Sequence, residues 1–148
     1  MTYKDPDVEN FRQMVRPLLD ELRQKSPSEQ RAMFDADMER IPPAEGCGIE
    51  SLDLSGVPAE MITHPGAAPG KALFYLHGGG YVIGSLKSYR HLVSRFAVAA
   101  GVTAYHIDYR LAPEHPYPAA LDDAINAYRR ILSFGIAPQD LIVGGESA

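Results

Sequence analysis

The chain has 148 residues, 45% of them hydrophobic, and a formal net charge of −5, enough to build one ordinary domain around a core. No run approaches the ~20 apolar residues of a membrane span, and the acidic balance excludes the basic footprint that nucleic acid or an anionic membrane requires. One cysteine, Cys47, rules out an intrachain disulfide and points to a reducing compartment. It lies among Pro, Ala, Glu and Gly with no basic neighbour to favour a thiolate, so the expectation for it is structural. The first residues, Met1 to Asp7, contain no apolar signal region, so the expected setting is the cytoplasm.

Residues 8–25 carry Val8, Phe11, Met14, Leu18, Leu19 and Leu22 at helical spacing on a charged background, which predicts an amphipathic helix. A second helix starts at Ser26-Pro27-Ser28-Glu29, where Ser26 suits the N-cap, Pro27 the first helical position and Glu29 the acceptor of a capping box. Met33, Phe34 and Met38 form its apolar side, and Pro42-Pro43 stops the segment. Residues 49–54 and 57–63 read as a hairpin about Ser55-Gly56. Ala72-Leu73-Phe74-Tyr75-Leu76 is a continuous apolar run, as in a strand buried on both faces. A helix over 88–100 ended by Gly101, a strand over 102–109, a helix over 119–134 and a last strand from Leu141 complete the order. Strands alternating with helices predict a parallel α/β sheet.

Three segments outside this regular pattern carry chemistry. His77-Gly78-Gly79-Gly80 follows the buried strand directly; three glycines leave backbone N–H groups free to face an anion or a developing oxyanion. Gly78 to Gly84 also fits a loose dinucleotide-binding loop, with Asp108 near the place of a ribose-binding acid. The second segment is Tyr109-Arg110-Leu111-Ala112-Pro113-Glu114-His115-Pro116-Tyr117-Pro118. The third is Gly145-Glu146-Ser147-Ala148, four residues of the Gly-x-Ser-x-Gly turn that presents a nucleophilic serine above a sheet.

In this order and spacing, the three segments resemble the hormone-sensitive-lipase-like branch of the α/β-hydrolases, the microbial carboxylesterases especially. Tight binding of a dinucleotide is therefore the less favoured alternative. The resemblance implies a mostly parallel sheet with helices on both faces, of which the chain holds the first half. A helical cap segment (residues 1–45) would precede the core (46–148). It implies Ser147 as the nucleophile, with the N–H groups of Gly79, Gly80 and Ala148 as the oxyanion hole and Tyr81 in the substrate pocket. Phe11, Met14 and Phe34 are candidates for substrate contact from the cap. The expected substrate is a small, short-acyl ester, with no cofactor, no metal, no nucleic acid and no membrane partner, and with a homodimer compatible. A non-catalytic small-molecule receptor on the same fold is the alternative.

In that family the triad acid and histidine follow the nucleophile in the chain. This places both beyond residue 148 and suggests a piece of a longer protein. His77 is then a loop anchor rather than the base. Arg110 and Glu114 are expected to share a network that supports the oxyanion loop. His64, His91 and His106 read equally well as turn, helix-surface and strand residues, and no histidine has metal-ligand spacing with a partner.

Overall fold

In the computed structural model, residues 6–147 are described, the side chain of Leu18 excepted. The elements run α1 (Pro6–Arg23), α2 (Pro27–Met38), β1 (Gly48–Asp53), β2 (Pro58–Thr63), β3 (Ala72–Leu76), α3 (Leu86–Ala100), β4 (Thr103–Ile107), α4 (Ala119–Leu132) and β5 (Leu141–Gly145), with a short 3-10 turn at Pro138–Asp140. Each corresponds to an element expected from the sequence, with ends displaced by a few residues, where caps and frayed turns decide.

Local chemistry accounts for several of these ends. The capping box at α2 is formed: the Ser26 hydroxyl accepts the Glu29 N–H, and the Glu29 carboxylate accepts the Ser26 N–H at 2.8 Å. Such a cap stabilises by about 1 kcal/mol. Ser85 caps α3 in the same way through Ser88, and Gly101 closes it in the left-handed region. Ser55 and Gly56 both have positive φ between β1 and β2, and the Asp53 carboxylate accepts the Gly56 N–H at 2.8 Å. That backbone hand matches the twist of the two strands.

The five strands form one sheet in the order β1-β2-β4-β3-β5. β3 pairs in parallel with β4 and β5, whereas β1–β2 and β2–β4 are antiparallel. The sheet is therefore mixed: the expected hairpin adds its strands antiparallel at one edge, and β3, β4 and β5 run parallel as the alternation of strands and helices implied. Alternation along the strands divides the core. Ala72, Phe74, Tyr105 and Ile107 face Ala127 and Ile131 of α4, while Leu73, Tyr75 and Ala104 face Val93 and Ala97 of α3. Helices thus cover both faces, and β3, buried along its first four residues, lies between them. β5 is an edge strand, and Ile142 and Val143 on it are each 54% exposed.

One register matters for the site. Leu76 at the end of β3 is paired with Gly145 at the end of β5. The glycine loop and the serine turn therefore leave the sheet side by side, at the carboxyl ends of adjacent parallel strands. Open α/β sheets place their ligand crevices there.

Candidate active site

The loop after β3 is held in a conformation that glycine alone adopts readily. Gly79 has φ +121°, and a Cβ on it would overlap the Ile83 carbonyl. That carbonyl lies close because Val82 and Ile83 donate their N–H groups to the Gly79 oxygen at 3.1 and 3.0 Å. Gly80 has φ +62° and Tyr81 φ +59°, so three successive residues carry positive φ. Tyr81 is held there in part by the Ala112 N–H, which its carbonyl accepts at 2.8 Å.

Ser147 follows β5 with φ +56°. For a residue with a Cβ this costs about 1–2 kcal/mol, and such strain concentrates at functional sites. Its side chain is exposed. The neighbouring Glu146 turns inward toward the glycine loop: its carboxylate accepts the Gly78 N–H at 3.0 Å and the Tyr89 hydroxyl at 2.6 Å. Gly78 is required by this closeness, because a Cβ there would fall on the Glu146 carboxylate and carbonyl. Ala148 lies outside the described residues.

A groove of about 780 Å³ runs in front of these turns, with Gly80, Tyr81, Tyr109, Tyr117, Val143 and Ser147 among its lining residues. Aromatic and aliphatic walls around a few polar atoms are the usual make-up of a small-molecule site. Gly80, Tyr81 and Ser147 thus meet at one groove. Among the described residues, α1 and α2 contribute none to its lining. Phe11 and Met14 are exposed on α1, and Phe34 packs against Tyr89 with ring centroids 5.9 Å apart. None of the three lines the groove; Phe34 is instead turned to α3, on which α2 packs.

Beneath the loop lies a buried polar layer. His77 is 3% exposed, stacked on Tyr109 at 4.2 Å and on Tyr89 at 5.2 Å. Its Nδ1 lies 2.8 Å from the Gly78 carbonyl, which makes that nitrogen the donor, and the Tyr109 hydroxyl donates to the His77 carbonyl at 2.6 Å. Burial lowers the His77 pKa, partly opposed by the Gly78 carbonyl and the nearby Glu146 and Asp35. His106, on β4, is fully buried with its ring edge-on to His77 at 6.2 Å. Burial first, then His77 and Arg90, press its pKa down to about 3. Both histidines are accordingly neutral near pH 7. His77 serves as the loop's anchor, the part expected of it.

The proline-rich segment departs from expectation. Arg110 and Glu114 do not pair with each other. Arg110 grips the buried Asp123 of α4 through Nε and Nη2, at 2.7 Å for the shortest contact, and its own N–H bonds the same carboxylate at 2.9 Å. Glu114 instead binds Arg31 of α2 with both oxygens, at 3.0 and 2.8 Å, which lowers its pKa to about 2. The segment does support the glycine loop, through Ala112 and Tyr109, but its ion pairs reach outward to two different helices. Asp108 is absent from the groove lining, so it does not stand where the ribose-binding acid of a dinucleotide site would, and burial raises its pKa.

Sequence reasoning missed Arg31, Tyr89, Asp123 and the inward role of Glu146. Arg31 lies 83 residues from Glu114, and Tyr89 lies 57 from Glu146, so no local pattern links them. Cys47 is half-buried, and burial raises its thiol pKa, consistent with packing rather than reactivity. Among the described residues no three His, Cys, Asp or Glu side chains gather as a metal would need. Among them, too, no helix is long and apolar enough to cross a membrane.

Comparisons with known proteins agree with this geometry. A family profile described as alpha/beta hydrolase fold matches residues 73–148. An esterase of Acinetobacter venetianus is 35% identical over 82% of the chain and 40% of its own length. An ethyl acetate hydrolase of Pseudomonas putida is 47% identical over 67% of the chain and 33% of its own length. The solved structure of an esterase from the bacterial hormone-sensitive lipase family superposes with a TM-score of 0.80 at 37% identity, over 97% of this chain and 48% of that one. The chain thus spans between a third and a half of the length of these relatives. The profile match covers the glycine loop, the proline-rich segment and the serine turn together, and the chain belongs to the α/β-hydrolase-fold family.

Proposed function

We propose that the protein carrying this chain is a serine carboxylesterase for small, short-acyl esters, with Ser147 as the nucleophile that forms the acyl-enzyme. The observation that carries the reading is the Leu76–Gly145 pairing. It sets a strained, exposed serine beside the glycine loop, with Gly80 and Ser147 lining the same groove. Attack by the Ser147 Oγ on an ester carbonyl makes a tetrahedral oxyanion. The N–H groups of Gly79 and Gly80, with that of Ala148, would receive it, each worth roughly 3 kcal/mol in the transition state. The triad order of this fold puts the acid and the histidine base after Ser147. In keeping with that, His77 already spends its Nδ1 proton on the Gly78 carbonyl. Ester-hydrolase names among the relatives support the reaction class, and the groove's apolar walls suit a small neutral ester.

The test uses the whole protein, p-nitrophenyl acetate and a fluorophosphonate probe. Hydrolysis, one probe adduct on the Ser147 peptide, and loss of both in Ser147→Ala are the expected results. Undiminished hydrolysis by Ser147→Ala overturns the assignment. Ligand binding with neither hydrolysis nor an adduct overturns it in favour of a receptor on the same fold.

A further inference from the structure

Arg31, on α2, makes contacts of a different kind from its neighbours. Its guanidinium donates from Nε to the Val82 carbonyl at 2.7 Å and from Nη2 to the Ala112 carbonyl at 2.7 Å. Nη1 and Nη2 also meet the two oxygens of Glu114. One planar group therefore ties together two backbone segments that already bond each other through Ala112 N–H and the Tyr81 carbonyl. Both lead into the site: Val82 follows Gly79-Gly80-Tyr81 directly, and Ala112 belongs to the segment that begins at Tyr109 beneath the loop. One turn along α2, Asp35 accepts the Ser85 hydroxyl at 2.7 Å. The same helix face thus holds the loop near its exit and at the N-cap of α3.

A surface ion pair would do little here. The bonds to the two carbonyls are different: the Val82 carbonyl directly follows Gly80 and Tyr81, both at positive φ, and the Ala112 carbonyl belongs to the residue whose N–H bonds Tyr81. We infer that Arg31 is a positioning residue for the oxyanion loop, holding the Gly79 and Gly80 N–H groups in place from α2 by bridging the Val82 and Ala112 carbonyls. The inference rests on the esterase reading above. Lysine cannot replace it fully, since a single ammonium lacks the planar fork that meets several acceptors at once.

The experiment compares wild type, Arg31→Met, Arg31→Lys and Ser147→Ala in the whole protein. It measures kcat and KM for p-nitrophenyl acetate and the rate of inactivation by the fluorophosphonate. Displacing oxyanion donors acts on the transition state rather than on substrate binding. Arg31→Met should lower kcat by about tenfold or more with KM within about twofold, and slow inactivation in parallel. Arg31→Lys should fall between the two and, if Arg31→Met does not fold, carries the test alone with a kcat loss of about threefold or more. Wild-type kcat in the folded variants, or a change confined to KM, overturns the inference while an inactive Ser147→Ala leaves the esterase reading standing. An active Ser147→Ala overturns the reading itself.

Discussion

The Glu146 carboxylate and the Gly78 amide, 68 residues apart, are joined by a 3.0 Å hydrogen bond. This bond runs from the serine turn to the glycine loop, and Tyr89 of α3 holds the same carboxylate oxygen. The side chain next to the candidate nucleophile thus sets the distance between the two halves of the site. Replacing Glu146 with Ala leaves the Gly78 N–H without its acceptor and frees the Tyr89 hydroxyl. Loss of a charge-assisted bond of this kind costs about 1.5–3 kcal/mol, and because it spans the site, the expectation is a fall in kcat of about tenfold or more. Steady-state kinetics beside a melting curve check it.

Gly79→Ala tests the loop itself. Its Cβ would meet the Ile83 carbonyl at a φ that side chains rarely adopt, so the turn must rearrange and misplace an oxyanion donor. The expected result is a loss of about 100-fold in kcat with most of the fold retained by circular dichroism.

Asp123→Ala tests the support beneath the proline-rich segment. Asp123 is 5% exposed and accepts three hydrogen-bonding groups of Arg110, its backbone N–H among them. Arg110 itself is half-exposed and can turn to water, so the cost should fall near 2 kcal/mol. Denaturant unfolding should show it as a lower midpoint with unchanged slope.

Acid stability should follow the buried histidines. The folded pKa of His106 is depressed to about 3 by burial, below the ordinary value near 6.5. The folded state therefore refuses a proton that the unfolded chain accepts. Stability from this residue is fully present above about pH 7 and declines as pH falls toward 3, by up to about 1.4 kcal/mol per pH unit. His77 shifts the same way and adds to the slope. Melting temperatures between pH 8 and pH 5 should fall with acid, and His106→Leu should flatten the curve.

Much of this protein was legible in one dimension because much of it is local. The 3.6-residue stripe of α1, the Ser26–Glu29 box, the Ser55-Gly56 turn and the apolar run of β3 each depend on residues within a few positions. Gly78-Gly79-Gly80 and Gly145-Glu146-Ser147 were readable for the same reason: each encodes a backbone shape that few other residues permit. Sequence alone therefore determined the elements, their order and the candidate site residues.

Tertiary structure decided which of these meet. Placing β3 between β4 and β5 sets Leu76 beside Gly145. That order is a matter of how two helices bury opposite faces of the sheet, a non-local result. The antiparallel docking of the hairpin on β4, the separation of Arg110 and Glu114 onto different partners, and the reach of Arg31 to Val82 and Ala112 are of the same kind. Charged side chains advertise no partner in sequence, since a guanidinium donates to whichever carboxylates and carbonyls folding brings within about 3 Å. The position of α2 beside α3, away from the groove, was decided likewise, by packing against the α3 surface rather than by its own apolar pattern.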